Sequence, residues 1–356
     1  MSPSAPTAGD DALQRVDVLD VENPEWGGFV TASRAATCFH RPEWARLVAD
    51  CYRYRPFVLV QRNPAGAIEG GLPLIEVRRP LGSRRWVCLP FSDECGPLMA
   101  PGASAGPLIR GADTLRRREG VADLQIRADV PLPSGRVEQV AVTHVLALRG
   151  GPDGTSLPPR ARASVRRNVA TATRSGVEVR FARTARELVD GYYPVHVRTR
   201  RRQGVPAQPR RYFRMLWERM IAPGHGLVVL ASRQGTVLAG AVYLVGGDTV
   251  TYKYGASDAS AWSLRPNHAV MAQAISWAAE HQFASFDFGR TDLDNAGLMR
   301  FKESWGGTAR PLRYAYLSGR RHDAPARTSA VVAPVIRRAP LVVCRGLGQV
   351  LYRYAA

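Results

Sequence analysis

Between Phe286 and Gly307 the chain reads Phe-Asp-Phe-Gly-Arg-Thr-Asp, a short polar hinge, and then Gly-Leu-Met-Arg-Phe-Lys-Glu-Ser-Trp-Gly-Gly. Asp287, Arg290 and Lys302 are the charged groups of this stretch that could act on a reacting atom. Composition sharpens the choice. Of the 49 basic residues, Lys253 and Lys302 are the two lysines and the remaining 47 are arginine. Lysine is a compact ammonium with a tunable pKa, whereas arginine is a planar fork that stays charged. A site that needs a positioned point charge or a small donor resists replacement by arginine, and Lys302 is the first candidate for that role. Chance survival, or packing that excludes a guanidinium, is the plain alternative.

The elements that must hold these groups follow from the pattern around them. Asn267 to Gln282 has the apolar spacing of a helix. Phe286 to Phe288 reads as a short apolar strand, which Gly289 allows the chain to leave sharply. Gly297 to Ser304 reads as one or two helical turns, with Leu298, Phe301 and Trp305 on one face. Pro311 to Leu317 is an apolar, alternating strand. Upstream, Tyr252, Lys253 and Tyr254 alternate on the strand Val250 to Ala256. In a regular strand both tyrosines share one face and Lys253 points the other way, and the tyrosine side is expected to line the cleft.

At 356 residues the chain exceeds one ordinary core, so two domains are expected. The net charge of +19 makes polyanions natural partners, such as tRNA, nucleotide-linked sugars or an anionic membrane surface; a compositional arginine bias is the competing reading. The five cysteines show no Cys-x-x-Cys, which argues against a disulfide framework or a zinc site and for a reducing, cytoplasmic setting. No signal-peptide pattern and no apolar run of membrane-spanning length is present.

Residues 1–12 read as a disordered leader. His40 to Tyr54 has helical periodicity. Phe57 to Gln61 and Ile68 to Val77 flank the turn Asn63-Pro64-Ala65-Gly66 as a hairpin. Further strands are read at Arg84–Pro90, Ala122–Arg127 and Val140–Leu148, and a charged helix end at Thr114–Gly120. Gly150 to Pro159 is the best linker. Beyond it come a basic helix from Ala161 to Arg174, which carries Arg166, a strand to Phe181 and a helix from Ala185 to Arg200. The loop from Arg200 to Arg211, with Arg200, Arg201 and Arg202, is followed by a helix to Ile221 and strands at Gly226–Ser232 and Val237–Val245. Val58–Leu74 and Val228–Leu244 repeat one pattern of strand, glycine turn and strand, each hairpin preceded by a helix. The expected division is therefore an N-terminal domain at 13–150, a C-terminal domain at 151–320 and a basic helical tail at 321–356. The tail has seven arginines and one acid, Asp323, from Arg320 onward. It would either lie on an anionic membrane or pack as a C-terminal helix with a basic outside.

Several of these stretches resemble the Fem-type branch of the GNAT acyltransferases, tandem-domain proteins that add amino acids to peptidoglycan precursors. The likeness rests on Arg174–Val179, Thr199–Pro206, Tyr252–Ser257, Asp287–Thr291 and Phe301–Gly306, and more loosely on His40–Trp44 and Leu89–Asp93. It implies two GNAT-like α/β domains, each a mixed, mostly antiparallel sheet flanked by helices, with an acceptor cleft between them. In peptidoglycan members the donor is an aminoacyl-tRNA, and a lysine following a phenylalanine contacts its acyl end; Phe301-Lys302 matches that pair. Acetyl-CoA-using relatives hold the pyrophosphate in a Gly-rich turn at a helix N-terminus. The corresponding connection here, Asp258 to His268, has no glycine, which favours an aminoacyl-tRNA over an acyl-CoA donor.

Acyl transfer to an amine requires a neutral amine, a positioned acyl ester or thioester and stabilisation of the oxyanion. No cysteine–histidine motif and no Gly-x-Ser-x-Gly occurs, so direct attack in a ternary complex is expected, with no cofactor and no metal. Lys302 would meet the oxyanion or the terminal ribose, and Asp287 would hold Arg290 or the acceptor. Phe301, Trp305, Tyr252 and Tyr254 would line the substrate. Asp93, beside Glu94, would contact the acceptor or act as general base, or be a solvated loop acid. Arg166, Arg200, Arg201 and Arg202 would neutralise phosphates of a tRNA or of a precursor pyrophosphate, or be a solvated face. They lack interleaved aromatics of the kind that bind single strands. His196 and His268 read as ordinary packed histidines. The acceptor would be an amine-bearing small molecule or a lipid-linked precursor. The rival readings are an acyl-CoA-dependent N-acetyltransferase and a non-catalytic polyanion-binding module.

Overall fold

The computed structural model describes residues 16–78, 82–148, 158, 161–317 and 333–354. The leader, most of the linker and residues 318–332 of the tail lie outside the described residues. A single 13-stranded sheet runs through the chain. Its N-terminal wing is β1 (Asp17–Leu19), β2 (Arg55–Arg62), β3 (Ile68–Arg78), β4 (Arg84–Val87) and β6 (Asp123–Ile126), with β5 (Leu98–Met99) beside β3. Its C-terminal wing is β12 (Ser285–Asp287), β11 (Thr249–Ser257), β10 (Thr236–Gly246), β9 (Gly226–Arg233) and β8 (Glu178–Phe181). Between the wings lie β13 (Thr308–Leu317) and β7 (Arg136–Ala147).

This centre departs from the division expected at residue 150. β13, the last strand among the described residues, sits between β6 and β7, and β7 in turn pairs with β12. The sheet is thus continuous across that boundary: each half supplies a strand that the other half needs for its hydrogen bonds. All pairings are antiparallel except β4 with β6 and β11 with β12.

The two repeated hairpins are present, one in each wing, as β2–β3 and β9–β10. The second turns on Gln234 and Gly235, both with positive φ (51° and 76°), the left-handed pair that matches the twist of a two-residue hairpin. Helices pack on the sheet: α1 (Pro24–Ala32), α2 (Pro42–Tyr52), α3 (Ala105–Arg118), α4 (Ala163–Arg174), α5 (Tyr193–Gln203), α6 (Arg210–Leu216), α7 (Pro266–Glu280) and α8 (Ala296–Ser304). α3 starts at Ala105 behind its Ser104 cap, well before the stretch read as a helix end. α5 is entered through a π-helical turn, Glu187–Tyr192. It continues through Arg200, Arg201 and Arg202 to the left-handed Gly204 (φ 73°), so these arginines sit on a helical turn rather than in a loop.

One irregularity decides how the site is built. Along β11, Tyr254 pairs with Val242 and Tyr252 with Tyr243, leaving Lys253 as an extra residue. Such a bulge resets the alternation of side chains. Tyr252 therefore packs with Tyr243, Phe286 and the rest of one core, and Tyr254 with Tyr52, Tyr212 and Phe213 of the other. The tyrosines do not share a face, and the expectation that they line the cleft while Lys253 points away is overturned.

The tail is part of the fold. Residues 333–338 are helical, and α9 (Leu341–Tyr354) follows. Tyr352 donates to the Pro206 carbonyl (2.7 Å), accepts from Arg200 (2.9 Å) and packs edge-on against Phe91. Ile336 and Cys344 are buried, and any side chain at Gly348 would run into the Ala207 carbonyl. Outward, Val335, Val342 and Val343 remain 59%, 74% and 44% exposed.

Candidate active site

The site forms where β12 ends. Gly289 takes φ 69°, and a Cβ there would come within 2.5 Å of the Tyr252 carbonyl oxygen and 3.2 Å of Asp93, so glycine is required both by conformation and by space. Asp287 is held by the Gly289 amide (2.7 Å) and the Thr143 hydroxyl. Burial raises its carboxyl, opposed by those two hydrogen bonds. The neighbouring strand brings Thr251 into register with Asp287, and from the bulge just beyond it Lys253 donates to Asp93 at 2.9 Å.

Asp93 belongs to a loop that spends backbone energy to reach this point. Leu89 and Phe91 hold left-handed φ values of 43° and 65°, a conformation that costs non-glycine residues roughly 1–2 kcal/mol each. What over-determines the loop is visible. Tyr314 donates to the Asp93 carbonyl at 2.8 Å, Ser92 donates to the Leu89 carbonyl at 2.6 Å, and Arg127 donates to the Ser92 carbonyl. His40 closes it by donating from Nε2 to the Gly96 carbonyl at 3.1 Å, while Nδ1 accepts from the Thr37 amide at 3.0 Å. Glu94 pairs with Arg310 across the junction of the two halves; its carboxyl is raised by burial, against the pull of Arg310.

Lys302 approaches from α8, whose N-terminus is capped by Asn295, its side-chain oxygen accepting from the Leu298 amide (3.1 Å). Lys302 is buried, at 2% exposed. Its ammonium donates to the Gly289 carbonyl (2.6 Å) and the Arg290 carbonyl (3.2 Å). Burial lowers its pKa to about 8, partly offset by Asp93, Asp287 and Asp292. An ammonium has three donors, so one remains after these two carbonyls. Two lysines and two aspartates thus gather around Gly289.

The other expected site residues are placed less centrally. Arg290 pairs with Asp292 (2.9 Å) rather than with Asp287, and lies over the Tyr314 ring. Trp305 is fully buried and stacks with His268, and Phe301 packs edge-on against the same imidazole; both belong to the wall behind Lys302. Arg166 is exposed on α4. Arg200 fixes the tail, as above, and also donates to the Pro206 carbonyl (3.2 Å). Arg201 is half-buried. Arg202 donates to the Ser257 carbonyl at the far end of β11. His196 and His268 are packed histidines, bonded to Gln208 (3.0 Å) and Asn168 (3.1 Å).

Sequence reasoning missed Thr143 and Tyr314, which have no signal beyond ordinary strand residues. It also missed His144, fully buried beside Glu303 (3.8 Å) with neither ring nitrogen bonded. Lysine scarcity did point to Lys253; the unforeseen bulge turned it the wrong way.

Comparison with known proteins agrees with this picture. Residues 159–303 match the family described as an acetyltransferase (GNAT) domain. A Lipid II:glycine glycyltransferase of Staphylococcus saprophyticus is 37% identical over 79 residues, 20% of this chain and 19% of that protein. That of Staphylococcus aureus is 35% identical over the same length. The match thus spans about a fifth of these relatives. FemX shares the fold with a TM-score of 0.65 at 16% identity, over 84% of this chain and 96% of that one. L-PGS from Bacillus licheniformis gives 0.57 at 14%, over 90% and 99%. Residues 159–303 are thus similar to a GNAT acetyltransferase domain, and the fold as a whole is similar to that of FemX.

Proposed function

We propose that this protein moves an aminoacyl group from an aminoacyl-tRNA to the amine of a cell-wall precursor by direct attack in a ternary complex. The observation that carries the reading is the buried Lys302 ammonium, fixed by two carbonyls with one donor left, beside the Asp93–Lys253 pair. The acceptor amine attacks the ester carbonyl carbon and a C–N bond forms. Asp93 takes the proton from the amine, and the spare N–H of Lys302 stabilises the oxyanion. The ester C–O bond then breaks, and the proton taken by Asp93 passes to the departing ribose oxygen, which leaves as the hydroxyl. Asp287 orders the Gly289 turn against which Lys302 is braced.

The donor choice rests on the connection after β11. It is a tight 3-10 turn, Ala259–Leu264, leading into α7 without a glycine. Trp262 and Asn267 both donate to the Ser257 hydroxyl, each at 3.0 Å, and fill the place where a Gly-rich turn would open its amides to a pyrophosphate. Incubation with charged tRNA, acyl-CoA and candidate amines tests this. Label passing from aminoacyl-tRNA supports it, label passing from acyl-CoA alone replaces the donor, and no turnover with either leaves a polyanion-binding module.

A lipid-linked acceptor is favoured by the tail. No helix among the described residues is long and apolar enough to cross a membrane, but exposed Val335, Val342 and Val343 lie among exposed Arg337, Arg338 and Arg345, and residues 324–356 contain no acid. That is the composition of an interfacial helix on anionic lipid. The full chain should float with phosphatidylglycerol vesicles and not with phosphatidylcholine vesicles, and V342S/V343S should abolish flotation; equal flotation of the variant sinks this reading.

A further inference from the structure

We infer that Trp262 is a stacking platform for a nucleobase of the donor. The inference rests on the proposal of a nucleotide-bearing donor and adds the place where that nucleotide is gripped. Trp262 is 48% exposed, an unusual position for the largest apolar side chain, yet it is rigid. Its indole N–H donates to Ser257 at 3.0 Å. The Arg202 guanidinium lies 4.9 Å from the ring centroid and donates to the Ser257 carbonyl. Ser257 is itself pinned, its backbone exchanging two 3.1 Å bonds with the Thr199 hydroxyl and its own hydroxyl accepting from Asn267. A ring held at its edge and supported on one face by a cation is pre-organised to receive a flat partner on the other, because little side-chain freedom is left to lose on binding.

The surroundings identify that partner. Arg202 lies over the ring from α5, one turn after Arg198, and Arg265 is exposed three residues after the ring with a left-handed φ of 57°. One acid, Asp258, faces Arg198 at 3.4 Å. An exposed aromatic ring among arginines suits a base joined to phosphate, the ring taking the base and the guanidinium groups the backbone. Ser257 lies four residues beyond Lys253 along β11, or roughly 13 Å at the rise of a strand. The platform is therefore too far from the lysines to hold the acyl group and well placed for the nucleotide part behind it. The shared chemistry is a phosphate-linked base, and it has two sources: the single-stranded 3′ end of a tRNA, which the donor reading requires, or the adenine of coenzyme A.

The test is binding by the full chain, wild type, W262A and W262F, of a labelled RNA minihelix ending in single-stranded CCA and, separately, of coenzyme A. Trp262→Ala should weaken minihelix binding about tenfold, as loss of one base–aromatic stack does, with W262F recovering most of it, thermal midpoints unchanged and coenzyme A unbound. Wild-type-like minihelix binding by W262A overturns the platform, while transfer from charged tRNA in that same variant would leave the donor reading standing. If W262A instead loses binding of coenzyme A, the platform holds a base but the tRNA reading falls. If wild type binds neither probe, the inference is overturned.

Discussion

Lys302 combines a role in chemistry with a role in packing. Because it is buried, Lys302→Ala opens a cavity and leaves two carbonyls without a donor. We expect a cost of about 2–4 kcal/mol, read from denaturant unfolding, besides a loss of about 100- to 1,000-fold in turnover. Lys302→Met keeps the volume and should lose turnover to the same degree with the smaller stability cost. Lys302→Arg should not rescue, since a planar guanidinium does not fit a closed site that bonds two carbonyls with an ammonium; near-full activity of the arginine variant would remove Lys302 from the mechanism. A pKa of about 8 adds a pH signature. Turnover that needs the ammonium falls as pH rises through about 8. Stability moves the other way. Between about 8 and the ordinary lysine value the unfolded chain holds the extra proton, so the folded state gains as pH rises through that window. Lys302→Met should erase this gain. Lys253 offers no neutral control, because it is paired in a buried position with Asp93. Asp93→Asn would strand that charge, at a cost of about 3 kcal/mol.

At the scale of elements, the loop carrying Asp93 and the bulge carrying Lys253 meet across the two halves, and each is held by bonds from outside itself. His40 is the most testable of these clamps. Its Nδ1 accepts from the Thr37 amide and its Nε2–H donates to Gly96, an arrangement open to the neutral ring alone. Burial pushes its pKa down to about 4. The unfolded chain therefore binds the extra proton first, and the stability His40 contributes is lost as pH falls from the ordinary histidine value toward 4. Thermal midpoints should drop between pH 7 and pH 5, and His40→Gln should flatten that slope. An unchanged slope would assign the acid sensitivity to His196 and His268, whose pKa values burial also lowers, to about 3 and about 4.

For the whole molecule, the decisive feature is that β13 lies between β6 and β7 while β7 pairs with β12. Neither half can complete its hydrogen bonding alone. Calorimetry should show one cooperative transition for the full chain, and a fragment ending at residue 150 should not fold; two resolved transitions would contradict this continuity. Deleting residues 325–356 should lower the thermal midpoint, because it removes Tyr352 from its packing against Tyr52 and Phe91 and leaves Arg200 without the Tyr352 hydroxyl. A truncated protein as stable as the full chain would make the tail a mere surface attachment.

Much was legible from local pattern. The hairpins at Asn63–Gly66 and Gln234–Gly235, the helix read from Asn267, the glycine exit after Asp287 and the paired scarcity of Lys253 and Lys302 all follow from residue type and spacing, because turns, periodicity and charge identity are properties of short segments. What the sequence could not decide depends on partners distant along the chain. A one-residue bulge against β10 parted Tyr252 from Tyr254 and turned Lys253 toward Asp93, since register is set by the neighbouring strand. Packing of α8 on β7 buried Lys302 and Trp305, which a helical pattern alone leaves equally free to face solvent. The insertion of β13 between β6 and β7 carried the sheet's hydrogen bonding across the Gly/Pro-rich break, because strand order in a sheet is decided by edge pairing and core closure, and neither leaves a mark on composition.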